Sequence, residues 1–293
     1  MKPSRFSYAS PATLDAALAL LAGHGEMARP LAGGQSLIPA MNFRLAAPEV
    51  LVDLGNIPAL RGIALRPDGG LEAGAMARHA DFEHSAAVAR SHPLIPAVMA
   101  HVAHAQVRYR GTLGGSLAHA DPAAEWAAVC VALDAVVTVA GANGPRDVPA
   151  ADFTQGVYTT ALQPGEILAR VAFPPWPAGR RWGFCEIARR TGDFALAGAI
   201  ALLDGTADGI CHAARIVVFG VADTPVVLRA LGERLLGRRV DAEACDEIGF
   251  FARSAIEPRS DLHASADYRV DLIEAVVARA LRRAIQPDPQ EWT

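Results

Sequence analysis

Lysine is almost missing from this chain of 293 residues: Lys2 is the only one, and every other basic residue is arginine. A phosphate-binding P-loop needs a Lys after its glycine-rich turn, and Schiff-base or pyridoxal chemistry needs a buried Lys amine, so both are excluded. Cysteine is scarce as well. Cys130, Cys185, Cys211 and Cys245 lie far apart with no C-x-x-C pair. An iron-sulfur cluster or structural zinc carried wholly by this chain is therefore excluded, and the scatter suits free thiols in a reducing cytoplasm. Positive charge is not in excess: 27 Lys+Arg against 31 Asp+Glu give a net charge of -4, which offers no field to attract nucleic acid or anionic lipid. Long apolar runs are absent too. The stretches 127–133 and 194–203 fall short of the ~18 to 20 residues that a membrane span needs, and Pro3 and Ser4 stand where a signal peptide would be apolar.

What is present is the composition of a folding protein, 52% hydrophobic and 20% charged, long enough for two or three packed units at roughly 100 to 200 residues each. The pattern predicts a helix from Pro11 to about Ala22, capped by Ser10 and stopped at Gly23. A short extended run, 28–32, leads into Gly33-Gly34-Gln35-Ser36 and then a short helix over 37–44. Strands are expected at 50–54, at 63–65 paired with 71–73, at 136–140 and at 167–173, with a mostly helical, His-rich stretch over 78–103. Asp121-Pro122 reads as the cap and first residue of a helix running to about Leu133. The Pro-rich segment 173–179 reads as a linker. Beyond it, strands at 181–188, 194–203 and 214–221 precede helices at 225–236, 242–256 and 266–285. Strands first and helices last is the signature of an α+β unit with its helices on one side of an antiparallel sheet.

Two glycine segments carry the chemistry. In Ala32-Gly33-Gly34-Gln35-Ser36-Leu37, glycines after a strand can leave backbone N–H groups convergent on a phosphate, with Ser36 as a further donor; a plain tight turn is the other reading. Thr112-Leu113-Gly114-Gly115-Ser116 repeats the arrangement, so that two nests could hold one diphosphate from both sides, helped by Arg44 or Arg110. Other matches fail. Gly23-His24-Gly25-Glu26-Met27-Ala28 has Rossmann spacing in the reverse context, after a helix and before a strand. Gly114 to Ala118 lacks the second Gly of a nucleophile elbow, which weakens a triad through His119 and Asp121. His79, His84, His92, His101 and His104 match no zinc spacing and read as solvated or helix-face residues. No metal site is expected, and no residue is forced by spacing into the role of general acid or base.

The segments Ala32 to Pro39, Asn42-Phe43-Arg44-Leu45 and Leu51-Val52-Asp53-Leu54, then Gln106 to Pro122, then Arg189-Arg190-Thr191-Gly192-Asp193-Phe194-Ala195, run in one order along nearly the whole chain. In that order they resemble the FAD-binding medium subunits of molybdenum hydroxylases of the carbon monoxide dehydrogenase and xanthine dehydrogenase family. The match continues through Pro164-Gly165-Glu166-Ile167-Leu168, Ser260-Asp261 and Tyr268-Arg269; Tyr109 stands where relatives often carry Asn, and there is no Cys-rich insertion of the kind that adds a cluster. The resemblance implies an α+β fold: a bi-lobed FAD-binding domain of vanillyl-alcohol-oxidase (PCMH) type over 1–175, with lobes of about 1–55 and 56–175, and a C-terminal antiparallel-sheet-plus-helices domain over 180–286. It implies that Ala32, Gly33, Gly34, Gln35, Ser36 and Leu37, with Thr112, Gly114, Gly115 and Ser116, hold the diphosphate of a non-covalent FAD. Asp121 and Glu125 would serve the ribose or nearby polar groups, Leu168 would approach the flavin or adenine, and Asp193 and Phe194 would lie near the isoalloxazine. The implied activity is that of a cytoplasmic electron-transfer subunit. Its partners would be a [2Fe-2S] small subunit and a molybdopterin large subunit, with NAD, quinone or another molecule as acceptor. A stand-alone FAD-dependent oxidoreductase with its own substrate is the alternative, and a non-redox module whose glycines are only turns is a second.

Overall fold

The computed structural model describes residues 2–206 and 209–286; Met1, at the head of the expected first domain, and Ala207 and Asp208, within the expected second, lie outside them. The fold is a mixture of helix and sheet. Strand β1 (Ser7–Ala9), helix α1 (Leu14–His24), β2 (Ala28–Leu31), α2 (Leu37–Asn42) and β3 (Val50–Asp53) form a three-stranded sheet, ordered β1-β3-β2 and parallel throughout. Its core is Ala17 and Leu21 of α1 against Ala28, Val50 and Val52, extended by Ile57, Leu60 and Ile167. α1 begins later than the sequence suggests. Thr13 caps it by accepting from the Ala16 N–H (3.2 Å), while the Ser10 hydroxyl accepts from Asn56 Nδ2 at 2.9 Å, and the helix runs past Gly23 to a cap at Gly25, φ +54°.

The second sheet is antiparallel. It comprises β4 (Ile63–Leu65), β5 (Leu71–Gly74), β6 (Val136–Gly141), β7 (Gly144–Pro149) and, after the small hairpin of β8 (Thr154–Gly156) and β9 (Thr159–Thr160), β10 (Ile167–Phe173), in the order β4-β5-β10-β6-β7. Pro145 and Pro149 are tolerated in β7 because it is the edge strand. Between β5 and β6 run the short helices α3 (His79–Glu83), α4 (Ala86–Ser91), α5 (Leu94–Met99), α6 (Ala105–Arg108), α7 (Leu113–His119) and the wholly buried α8 (Glu125–Ala132); α9 (Ala150–Phe153) follows β7. Asp121-Pro122 does not open α8. The Asp121 carboxylate instead accepts from the Ala123 N–H (2.9 Å), closing a local turn, and Ala124 takes the cap position.

The third sheet, ordered β11 (Arg181–Ala188), β12 (Ala195–Gly205), β13 (Cys211–Phe219), β14 (Val226–Val227), is antiparallel, and α10 (Arg229–Glu233), α11 (Ala242–Ala252) and α12 (Ala266–Ile285) follow it. The expected helix over 225–236 gives way at its start to a strand, since Val226 and Val227 pair with Val218 and Val217. One face of this sheet buries α12, through Leu272, Ile273, Val276, Val277 and Leu281. The other face presents Phe184, Ile200, Leu202, Val217 and Phe219 to α5 and α8, in one core with Trp126, Phe153 and Phe173 of the preceding part. The Pro-rich segment is thus a covalent link between parts that share a core. Gly183 lets β11 lie directly on α12, where an added Cβ would stand 2.0 Å from the Ala280 carbonyl oxygen and 2.7 Å from the Ala284 nitrogen. Gly183→Ala should therefore destabilise the fold by about 2 kcal/mol, the usual scale of overpacking against a part that cannot yield. Urea unfolding reads this directly, and an unchanged midpoint would show that α12 moves freely.

Candidate functional site

The loop from β2 to α2 is a donor surface. Gly34 has φ +72°, a left-handed conformation that glycine adopts without penalty, and Gln35 Nε2 donates to the Gly33 carbonyl (3.2 Å) across the bend. The first helical bond is Ile38 N–H to Gly34 O, so the backbone N–H groups of residues 33 to 37 donate to no other group among the described residues. A run of free N–H groups in a concave turn is the arrangement that binds phosphate oxygens without a lysine.

The second glycine segment is built differently from the expectation. Thr112 is the N-cap of α7, and Gly114 and Gly115 are helical, without positive φ. Their N–H groups are already taken: Leu113 donates to Ala77 O (2.9 Å), Gly114 to Ala75 O (2.8 Å) and Gly115 to Thr112 Oγ1 (3.0 Å). Thr112 and Gly114 are buried, and a Cβ on Gly114 would sit 2.5 Å from that of Ala75. There is no second nest. The segment supplies shape: Gly115 faces the first loop, where its Cβ would be 3.2 Å from the Ala32 Cβ and 3.9 Å from the Gly33 nitrogen, inside the mouth of the nest.

The two segments meet backbone on backbone. A Cβ on Gly33 would lie 2.2 Å from the Arg110 carbonyl oxygen and 2.8 Å from the Gly111 Cα. Gly111 in turn leaves no room over His79, whose Nε2 would be 2.6 Å from an added Cβ. His79 is held from below, because the Trp126 indole N–H donates to its Nδ1 at 2.8 Å. Indole can only donate, so neutral His79 carries its proton on Nε2. Burial, with the nearby Arg108 guanidinium, pushes its pKa down to about 4. His79 is thus a core residue and not the solvated histidine that its sequence context suggests. His92 is also buried and bonds the Pro174 carbonyl oxygen at 2.9 Å. Among the described residues no group of His, Cys, Asp and Glu is placed to hold a metal, and the four cysteines are free and buried.

Past α7, the other Asp121 oxygen accepts from the Tyr158 hydroxyl (3.3 Å), and His119 packs on the Tyr158 ring at 4.9 Å. Glu125 opens α8 and is buried; Glu186 of β11 is half-buried, with its Oε2 wholly enclosed, on the sheet face that Phe184 presents to the core. Burial raises both carboxyls above the ordinary carboxylate range, Glu125 also through the charge of Asp121 and Glu186 also through the charge of Glu125. No sequence motif marks Glu186; its signal was the inward register of Trp182, Phe184 and Glu186 along one strand. Leu168 lies at a bulge of β10 with its side chain in the core. Asp193 and Phe194 are exposed on the β11–β12 loop, where Gly192, φ +85°, packs against the His104 ring. Tyr109 is exposed beside His84.

The family model described as FAD binding domain in molybdopterin dehydrogenase matches residues 4–176, and CO dehydrogenase flavoprotein C-terminal domain matches residues 182–284. The nicotine 6-hydroxylase medium subunit of Paenarthrobacter nicotinovorans is 42% identical over 291 residues, 97% of this chain and 99% of its own. The carbon monoxide dehydrogenase medium chain of Hydrogenophaga pseudoflava is 37% identical over 285 residues, 97% of this chain and 98% of its own. The crystal structure of quinoline 2-oxidoreductase from Pseudomonas putida 86 contains a chain that matches at TM-score 0.93 and 42% identity, covering 97% of this chain and 98% of that one.

Two outcomes follow from this geometry. Gly33→Val and Gly115→Val should each abolish FAD retention while the far-UV circular dichroism stays that of a folded chain; full FAD content in either would make that glycine a mere turn. His79 protonates at about 4 in the fold against 6.5 unfolded, so its contribution is complete above pH 6.5 and is lost as pH falls toward 4. The stability advantage of wild type over His79→Gln should therefore shrink by about 2 kcal/mol between pH 6.5 and pH 5, at ~1.4 kcal/mol per unit. Urea unfolding at both pH values checks it, and a constant difference would contradict the buried, neutral ring.

Proposed function

The chain belongs to the family of FAD-binding medium subunits of molybdenum hydroxylases, an oxidoreductase family, and from that premise we propose that it is the electron-transferring flavoprotein of such a complex. It takes electrons from [2Fe-2S] clusters of a small partner subunit, fed by a molybdopterin large subunit, and passes them to an acceptor such as NAD or a quinone. The observation that carries this reading is the row of free N–H groups at 33 to 37 under the bare Cα of Gly115. That cradle fits an FAD diphosphate in a chain whose only lysine is Lys2.

A bound FAD supplies two-electron storage between one-electron donors and the acceptor. The chain's own part is to bind and orient it. Residues 32 to 37 hold the diphosphate, Gly115 keeps the mouth open, and the Ser116 hydroxyl adds a donor beside it. Asp121 and Glu125 lie past α7 on the side toward the ribose and ring. Leu168 backs the site from the core, and Asp193 and Phe194 flank the isoalloxazine from the β11–β12 loop. The bi-lobed reading of 1–175 is supported by the parallel sheet from the first lobe and the antiparallel sheet from the second, with residues 180–286 as the further domain. The partners are needed because the four cysteines are free and buried and no metal-holding group exists among the described residues. Free buried thiols also fit a cytoplasmic home, and no helix among the described residues is long and apolar enough to cross a membrane.

The isolated chain should accept electrons from an artificial reductant yet oxidise no aldehyde, purine, N-heterocycle or carbon monoxide; with both partners, substrate oxidation should reduce its flavin. Substrate-driven reduction in the isolated, metal-free chain would instead establish a stand-alone flavoenzyme. A carboxylate near the ring disfavours negative charge there, so Asp193→Asn should raise the flavin midpoint potential at unchanged FAD content. An unchanged potential would place the loop away from the ring.

A further inference from the structure

Ser260-Asp261 and Tyr268-Arg269 stand out in the sequence, yet the site described so far uses neither pair. The structure brings their charged members together. Arg269, in the first turns of α12, is 5% exposed, and its Nη2 donates to Asp261 Oδ2 at 2.7 Å. Asp261 is fixed in turn by accepting from the N–H groups of His263 (2.8 Å) and Ala264 (3.0 Å). The other arm of the guanidinium, Nη1, donates to the Leu196 carbonyl at 2.6 Å and to the Gly220 carbonyl. Both carbonyls lie where the sheet is interrupted. The β12–β13 pairing stops at Gly198 opposite Phe219, and the register of β11 on β12 passes from Ile187 opposite Ala197 to Ala188 opposite Ala195, so Leu196 is the extra residue of a β-bulge. Asp193 and Phe194 come just before this bulge in the chain. Gly220 carries the hold further: at φ +75° its Cα lies against Ala195, where an added Cβ would be 3.0 Å from the carbonyl oxygen, and its N–H donates to Pro122 O at 3.0 Å, next to Asp121. One side chain thus ties the start of β12 to the turn of Asp121.

We propose that Arg269 is a positioning residue for the flavin: it fixes the loop of Asp193 and Phe194 against the Asp121-Pro122 turn and, through Asp193, keeps the potential of the ring low, while the diphosphate cradle stands without it. The inference rests on the reading above that sets this loop and this turn beside the isoalloxazine. A planar guanidinium can donate to two carbonyls and a carboxylate at once, which the point charge of a lysine does not reproduce. Arg269 Nε is buried with no hydrogen-bond partner among the described residues, so the side chain is oriented by the carbonyls it serves and not by its own full satisfaction. The effect on the ring is electrostatic. A carboxylate held near it disfavours the negative charge of reduction, and a loop released from its bulge lets that carboxylate move into solvent, where it is screened. Loss of the positive charge of Arg269 would by itself lower the potential, so the sign of the change separates positioning from a direct field.

The test is the flavin midpoint potential of the FAD-loaded full chain for wild type, Arg269→Met, Asp193→Asn and the double variant, with the affinity of each flavin-free chain for ADP measured alongside. Arg269→Met should raise the potential, add nothing to the rise in the Asp193→Asn background, and keep ADP affinity within about two-fold of wild type. Arg269→Lys should recover part of the wild-type potential. Asp261→Asn, which keeps the cation and loosens its anchor, should shift the potential in the same direction as Arg269→Met, and these two variants carry the test if Arg269→Met does not fold. A lowered or unchanged potential in the folded variants, or a rise that simply adds to that of Asp193→Asn, would overturn the positioning role while leaving the flavoprotein reading intact. An unchanged potential in Asp193→Asn itself would overturn the placement of the loop beside the ring, and this inference with it.

Discussion

The contact at Gly33 is the constraint on which the site depends. Its Cα lies so close to the Arg110 carbonyl and the Gly111 Cα that no side chain fits between them. This approach brings the β2–α2 loop against the start of α7, although about eighty residues separate them in the chain. The order of support is then fixed by packing. Trp126 of α8 holds His79, His79 holds Gly111, and Gly111 with Arg110 forms the wall on which Gly33 rests. The chain runs from the buried Trp126, His79 and Gly111 out to the partly exposed Gly33, so the stiffness of the core reaches the N–H groups of the loop. For the diphosphate cradle proposed above, made of neutral donors, that stiffness matters because without a lysine affinity would depend on geometry.

The same economy shapes the rest of the molecule. Phe184, Phe219, Ile200 and Val217 seal the third sheet onto α8 and α5, so the β11–β12 loop is held in place relative to the glycine segments by a shared core. Arg269 completes the hold on β12: it is 5% exposed, donates to the Leu196 carbonyl at 2.6 Å and pairs with Asp261 at 2.7 Å. Leu196 lies two residues beyond Phe194, so the loop emerges from a strand fixed from both sides.

Much of this was readable from the residues. The spans 167–173, 181–188 and 266–285 coincide with β10, β11 and α12, because each pattern is long and its ends carry their own stop signals. The FAD family was legible because Gly33, Gly34, Gly114 and Gly115 stand in ordered, lengthy motifs. What the sequence hid was non-local. The carbonyls of Ala75 and Ala77 that occupy the N–H groups of α7 come from nearly forty residues upstream, so a helix start looked like a second nest. Asp121-Pro122 has the chemistry of a helix cap, yet the Pro122 carbonyl is tied to Gly220 and the helix begins three residues later. Val226 and Val227 follow a helix-like composition but find partners on β13. The burial of His79 and of Glu125 depends on tertiary neighbours that no local window contains.

The central claim is that residues 33 to 37, under Gly115, hold the diphosphate of FAD. Calorimetric titration of the flavin-free chain with FAD, with ADP and with riboflavin tests it most directly, since riboflavin offers the ring without the diphosphate. FAD should bind one to one, ADP should compete with it, and riboflavin should bind far more weakly. Riboflavin binding as tightly as FAD, with no competition by ADP, would contradict the account.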